Sequence, residues 1–175
     1  MRIFLITLLL IWPFASSAQD ASPVPATLVA DDIFISTERE LVARGNVEAF
    51  QGTTRVSAAE IRYDRRTGAL TITGPITLQD GDKTTILASS AELDETLQIG
   101  ILTGARLVMN QQVQLAAVHM QRIDSRYDQL YKTAVTSCKV CDDGEPPLWQ
   151  IRAKRVIHDK EEQQLYFESA QFRIR

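Results

Sequence analysis

Residues 55–64 read RVSAAEIRYD, and the spacing of the apolar side chains in this stretch decides the fold. Val56 and Ala58 fall on one parity, Ile61 and Tyr63 on the other, and Asp64 ends the run. The pattern recurs with Ile86, Ala88, Ala91, Leu93 and Asp94, and again with Ile151, Ala153, Val156, His158 and Asp159. Looser copies are carried by Leu28, Ala30, Ile33 and Ile35 and by Val113, Leu115, Val118 and Met120. Copies starting at 28, 56, 86, 113 and 151 make the chain a repeat protein, whose units cannot bury their apolar faces alone and must stack.

Apolar residues two apart, with many β-branched side chains and no sustained 3.6-residue stripe, specify strands, so the chain is expected to be all-β. A strand keeps one face buried only while parity is kept, so the step of three inside each copy predicts a bulge or bend. The steps are expected between Ala30 and Ile33, Ala58 and Ile61, Ala88 and Ala91, Leu115 and Val118, and Ala153 and Val156. Gly45, Gly74-Pro75 and Gly104 stand at the matching level of the return strands, where a glycine marks a bulge. A sheet whose strands all bend at one level folds into two facing leaves, an antiparallel V with an apolar interior and small residues at its crease.

The 175 residues, 45% of them hydrophobic, suffice for one domain with a core. Residues 1–18 have the form of a secretory signal: Arg2, an apolar run from Ile3 to Phe14, and the small residues Ser16, Ser17 and Ala18. Residues 19–27 (QDASPVPAT) read as a flexible lead-in and residues 28–175 as the folded domain. Export makes an oxidising compartment the expectation and a disulfide the default fate of Cys138 and Cys141. A net charge of -3 with interspersed signs argues against nucleic acid, which requires a clustered basic face. The edge near residues 28–35 has neither Lys nor an internal Pro, an invitation to pairing with a partner strand.

Nothing in the sequence assembles catalysis. There is no nucleophile elbow, phosphate-cradling glycine loop or metalloprotease helix, and no cofactor motif. His119 and His158 sit in or beside apolar runs and read as structural or surface residues, and Glu38, Glu40, Glu60 and Asp64 as a solvated face. Cys138 and Cys141 form C-x-x-C without further ligands at zinc spacing and outside a thioredoxin-like α/β context. A structural disulfide remains, local or to another segment, although so short a ring constrains the unfolded chain little.

Three stretches are specific: Thr136-Ser137-Cys138, Leu148-Trp149-Gln150-Ile151-Arg152-Ala153, and Val156-Ile157-His158-Asp159-Lys160-Glu161-Glu162. With them the chain resembles the OstA-like family, in particular the amino-terminal periplasmic domain of LptD, the lipopolysaccharide-assembly protein also called organic solvent tolerance protein. Residues 28–120 resemble the wider family, which includes the periplasmic bridge protein LptA; the cysteine segment and the run around His158 point to LptD. The resemblance implies a V-shaped β-taco, or β-jelly roll, that holds lipopolysaccharide acyl chains and passes them toward the outer membrane. It implies an LptA-like partner at the first edge strand and, in a full-length LptD, an outer-membrane barrel and an LptE-like plug lipoprotein. LptD chains continue past the position of Arg175 into that barrel, so the sequence is read as a fragment, a truncated product or a free-standing LptA-like relative. Cys138 matches the family cysteine that bridges to the barrel; the family cysteine near the mature amino terminus is missing and Cys141 appears instead.

The inward, lipid-facing set expected on this reading is Ile33, Ile35, Val56, Ile61, Ile72, Ile76, Ile86, Leu93, Ile101, Val113, Val118 and Val156. A non-enzymatic conduit is the expected function, and an interaction module that stacks without carrying lipid is the alternative.

Overall fold

The computed structural model describes residues 26–138 and 147–175. Twelve strands follow one another: β1 (Thr27–Val29), β2 (Asp32–Ile35), β3 (Leu41–Gln51), β4 (Thr54–Asp64), β5 (Ala69–Asp80), β6 (Thr84–Asp94), β7 (Gly100–Met109), β8 (Val113–Arg122), β9 (Tyr127–Thr136), β10 (Trp149–Asp159), β11 (Gln164–Glu168) and β12 (Gln171–Ile174). From β3 to β10 each strand pairs antiparallel with the next; β1 and β2 share one side of β3, and β11 and β12 share one side of β10. The result is one open sheet with two edges, the all-β antiparallel architecture expected from the repeats.

Turn chemistry explains why each copy ends where it does. The carboxylates of Asp64, Asp94 and Asp159 accept backbone N–H groups of the turns that follow them, from Arg66, from Gln98 and Ile99, and from Glu161 and Glu162. Asp124 does the same for Arg126 and Tyr127, so the fourth copy also closes on an aspartate. An Asp that caps its own turn fixes the hairpin register, and with it which side chains face inward.

The parity steps are present. Inward residues change parity between Ala58 and Ile61, Ala88 and Ala91, and Ala153 and Val156, at the expected places. In β8 the step falls between Ala117 and Met120 rather than between Leu115 and Val118, which leaves Val118 outside. In the first copy the step falls in the gap between β1 and β2: Leu28 and Ala30 pack against the core, and Ile33, on the other parity, lies opposite the buried Ala43. The return strands break register at Gly45 and Asn46 and at Gly74 and Pro75, while at Gly104 the pairing is interrupted and resumes in the same register. Gly74 permits a close approach there, since a Cβ on it would collide with the backbone carbonyl of Ser89. Gly104, with φ of +62°, lies against the same serine from the other side.

These steps divide the sheet into two leaves, and opposed residues of antiparallel strands share a face. Leaf A carries the ladder Ile33, Ala43, Ile61, Ile72, Ala91, Leu102, Met120, Leu130, Val156, Phe167. Leaf B carries Leu28, Ala49, Val56, Leu78, Ile86, Leu107, Leu115, Val135, Ile151, Phe172. The middle members of both ladders are fully buried in one cluster. The described residues contain no helix, so only the opposite leaf can cover them, and the sheet is folded with its two apolar faces together. Cover fails toward the ends: Ile33 is 49% exposed and Phe172 61%.

Candidate functional site

The space between the leaves is not filled evenly. At the end where the chain enters, a cavity of about 420 Å³ is lined by Leu28, Ala49 and Phe50 of leaf B and by Ile61, Leu70 and Ile72 of leaf A, with Leu97 from the turn after β6. Its polar contributions are few, among them Tyr63 and Glu95, which are hydrogen-bonded to each other at 3.0 Å. The Glu95 carboxylate accepts the Tyr63 hydroxyl and raises its pKa. An apolar cleft with one polar pair at its rim suits an alkyl chain rather than a polar solute. The leaves do not face each other strand for strand. β1 and β3 of leaf B meet β4 and β5 of leaf A and the turn after β6, an offset that the twist of the strands produces.

Midway along the stack the mouth is closed by charge. Arg122 of β8, 2% exposed and inward-facing on leaf A, donates from Nη2 to Asp80 at the rim of leaf B. Its Nε lies 3.5 Å from Asp128, which is also approached by Lys160 Nζ at 3.7 Å and by His158 Nδ1 at 3.9 Å. Desolvation lowers the pKa of Lys160. Beside this cluster lies a polar cleft of about 330 Å³, bounded by Asp80, Lys83, Thr84 and Met109 of leaf B and by Ser125, His158, Lys160 and Gln163 of leaf A. Among the described residues no group of acidic, His and Cys side chains has the geometry to hold a metal ion.

No protein-family model matches the chain. It is 26% identical over 163 residues to the LPS-assembly protein LptD of Sodalis glossinidius (strain morsitans) and 27% identical over 165 residues to that of Salmonella choleraesuis (strain SC-B67). This chain resembles LptD. Each match covers 89% of the chain and 20% of the relative, so the chain spans about a fifth of the length of the LptD proteins it matches. Among solved structures, LptH, the LptA-homologous periplasmic component of the lipopolysaccharide transport device of Pseudomonas aeruginosa, is 12% identical, with a TM-score of 0.34 over 87% of this chain and 96% of that one.

Of the residues expected to face inward on the LptD resemblance, Val56, Ile61, Ile72, Ile76, Ile86, Leu93 and Val156 are buried between the leaves, and Val113 packs against them half-buried. Ile61 and Ile72 also line the cavity. Four others stand apart. Ile33 and Ile35 lie opposite Ala43 and Leu41 and so on the inward face, but β2 is an edge strand that nothing covers, and Ile35 is 65% exposed. Ile101 pairs with Glu92 and Gln121 on the outer face; the break at Gly104 puts Leu102 inward in its place. Val118 falls in the step of β8 and is 51% exposed.

His119 is outward and stacks near Tyr131, with ring centroids 5.2 Å apart, as a surface histidine does. His158 is buried and joins the polar cluster, a place that alternation from Val156 implies. Cys138 is half-buried and has no disulfide to any described residue; a hydrogen bond with Thr136 lowers its pKa. Cys141 and residues 1–18 lie outside the described residues. Sequence reasoning missed the Asp80–Arg122–Asp128 cluster, because Asp80 lies 42 positions from Arg122 on a strand not paired with β8 and meets it only across the leaves, although Arg122 and Asp128 are opposed on β8 and β9.

Proposed function

We propose that this chain is a periplasmic conduit domain for lipopolysaccharide, holding acyl chains between its leaves and passing them toward the outer membrane without a catalytic step of its own. The observation that carries the reading is the apolar cavity between β1 and β3 of one leaf and β4 and β5 of the other, open at the edge of the stack. Alkyl chains entering it would leave water for a surface of Leu, Ile, Ala and Phe, gaining about 0.8 kcal/mol per buried methylene. The two ladders extend this surface from edge to edge, as a path rather than a single site requires. Similarity to LptD over nearly the whole chain supports lipopolysaccharide as the cargo.

In this reading the outer edges of β1 and β2 receive an LptA-like partner by strand addition, since they leave unpaired backbone beside exposed Ile33 and Ile35. An outer-membrane barrel and an LptE-like plug are partners insofar as the domain works within a full-length LptD. Export by a cleaved signal at residues 1–18, with residues 28–175 as the folded unit, completes the proposal.

Ala49→Trp tests it, because Ala49 is half-buried, lines the cavity and would fill it with an indole. The variant is expected to keep its fold by circular dichroism and to lose at least tenfold in affinity for purified lipopolysaccharide, about 1.4 kcal/mol. Unchanged affinity in a folded variant would place the lipid elsewhere and contradict the proposal.

A further inference from the structure

We infer that Arg122 is a two-position latch across the mouth between the leaves: with the leaves closed its guanidinium holds Asp80 of leaf B, and when cargo parts them it turns to Asp128 of its own leaf. The inference rests on the conduit reading and adds to it the device by which a closed interior opens.

The first observation is that the path is shut beneath the mouth. Ile86, Leu107 and Leu115 of leaf B and Leu102, Met120 and Leu130 of leaf A are fully buried, and none of them lines the apolar cavity at the entry edge. A packed interior has no room for a further chain, so an alkyl chain passes from that cavity along the stack only if the leaves separate. Asp80 ends β5 on leaf B and Arg122 ends β8 on leaf A, and their bond pins the two rims over this stretch. The ion pairs Arg44–Glu60, Arg55–Glu48, Arg126–Asp159 and Arg155–Glu168 each stay within one leaf.

The second observation is that one guanidinium stands between two carboxylates and is bonded to one of them. Its Nη2 donates to Asp80, whereas its Nε lies 3.5 Å from Asp128 Oδ1; that Nε and both Asp128 oxygens have no hydrogen-bond partner among the described residues. The unmet capacity therefore lies between Arg122 and Asp128. Bringing Nε to the usual length of a charge-assisted bond, about 2.9 Å, takes a shift of about 0.6 Å.

The third observation is that neither position strands a charge. While Arg122 faces Asp80, Asp128 keeps Lys160 Nζ at 3.7 Å and His158 Nδ1 at 3.9 Å. When Arg122 turns to Asp128, the Asp80 side chain, 25% exposed at the rim, is left to water, and the buried guanidinium still has a carboxylate. A buried charge that lost its partner outright would hold the leaves shut, and a second partner removes most of that penalty. Cargo shifts such an equilibrium because it binds between parted leaves and not between closed ones.

The experiment measures the width of the mouth by electron–electron double resonance between spin labels at Lys83→Cys and Gln163→Cys, two exposed residues on opposite rims of the polar cleft, in a chain that also carries Cys138→Ser and Cys141→Ser. Purified lipopolysaccharide at half saturation, with binding followed by calorimetry, is expected to add a second population wider by about 4 Å, the contact diameter of an alkyl chain. Asp80→Asn should raise the ratio of wide to narrow mouths about tenfold, the worth of one charge-assisted hydrogen bond, and Asp128→Asn should lower it by a similar factor. Opposite signs mark the latch, since a merely structural cluster is weakened in the same direction at both positions. Binding with unchanged width, or changes of one sign in variants that keep their circular dichroism, would overturn the latch and leave the conduit standing. Should Asp128→Asn fail to fold, Asp80→Asn decides alone, and an unchanged ratio there would overturn the latch. Absence of lipopolysaccharide binding would overturn the conduit and the latch with it.

Discussion

Leu115 and Leu87 put the two-leaf interior to a quantitative test, because the same deletion is made on opposite faces of the sheet, in the two strands that flank β7. Leu115 is fully buried in the leaf B ladder between Leu107 and Val135, while Leu87 is 37% exposed on the outer face opposite Arg106. Leu115→Ala removes three carbons, about 2.4 kcal/mol of transfer free energy at about 0.8 per methylene. The cavity left between packed leaves adds to this, giving a loss of about 3–4 kcal/mol. Leu87→Ala loses only part of the transfer contribution and opens no cavity, about 1 kcal/mol. In a domain of this size the two changes should lower Tm by about 6–16 °C and about 2–4 °C respectively. Urea unfolding and thermal melts of the purified variants measure both. Equal losses at the two positions would refute the assignment of leaf B's inner face to a covered interior.

Acid should weaken the fold through its turns. Arg126 and the Glu162 and Glu161 amides hold Asp159 at about 2, backbone amides lower Asp64 and Asp124, and at Asp94 the Thr96 hydroxyl and the Ile99 and Gln98 amides outweigh the opposing effect of burial. Folded pKa values below the unfolded value of about 3.9 mean that this stabilisation is complete above that value and is lost as pH falls through the folded one. The urea midpoint should therefore drop between about pH 5 and pH 2, and Asp159→Asn should flatten the drop; a slope identical to the parent's would contradict the role given to Asp159. At the crease, Gly74→Ala should cost about 1–3 kcal/mol because its methyl meets the Ser89 carbonyl. Gly52→Ala, with φ of +59° and nothing within 4 Å, should cost only about 1 kcal/mol of backbone strain, and denaturant titration of the pair separates crowding from conformation.

The fold was legible because its governing signal is local. A change of parity beside Ala58, Ala88 and Ala153 can be counted along one strand, and the bend follows from the rule that one face stays buried. The misplaced step in β8 shows the limit: Leu115, Ala117 and Val118 are all compatible with the interior by type, and the small residue at the crease proved to be Ala117. Ile101 was assigned inward by hydrophobicity although Gly104 had already marked a break after it. Ile33 and Ile35 were given the correct face, but the cover over a face depends on how far one leaf extends over the other, which no local spacing encodes. The same holds for Asp80 and Arg122, forty-two positions apart and joined only by the offset of the leaves.

The most direct test of the conduit is photo-crosslinking in living cells from Ile61, which lines the cavity, and from Val118, which faces outward. Lipopolysaccharide adducts at Ile61 and none at Val118 are the predicted result. Adducts at Val118 equal to those at Ile61, or at neither position while an established lipid-contacting site gives them, would contradict passage between the leaves.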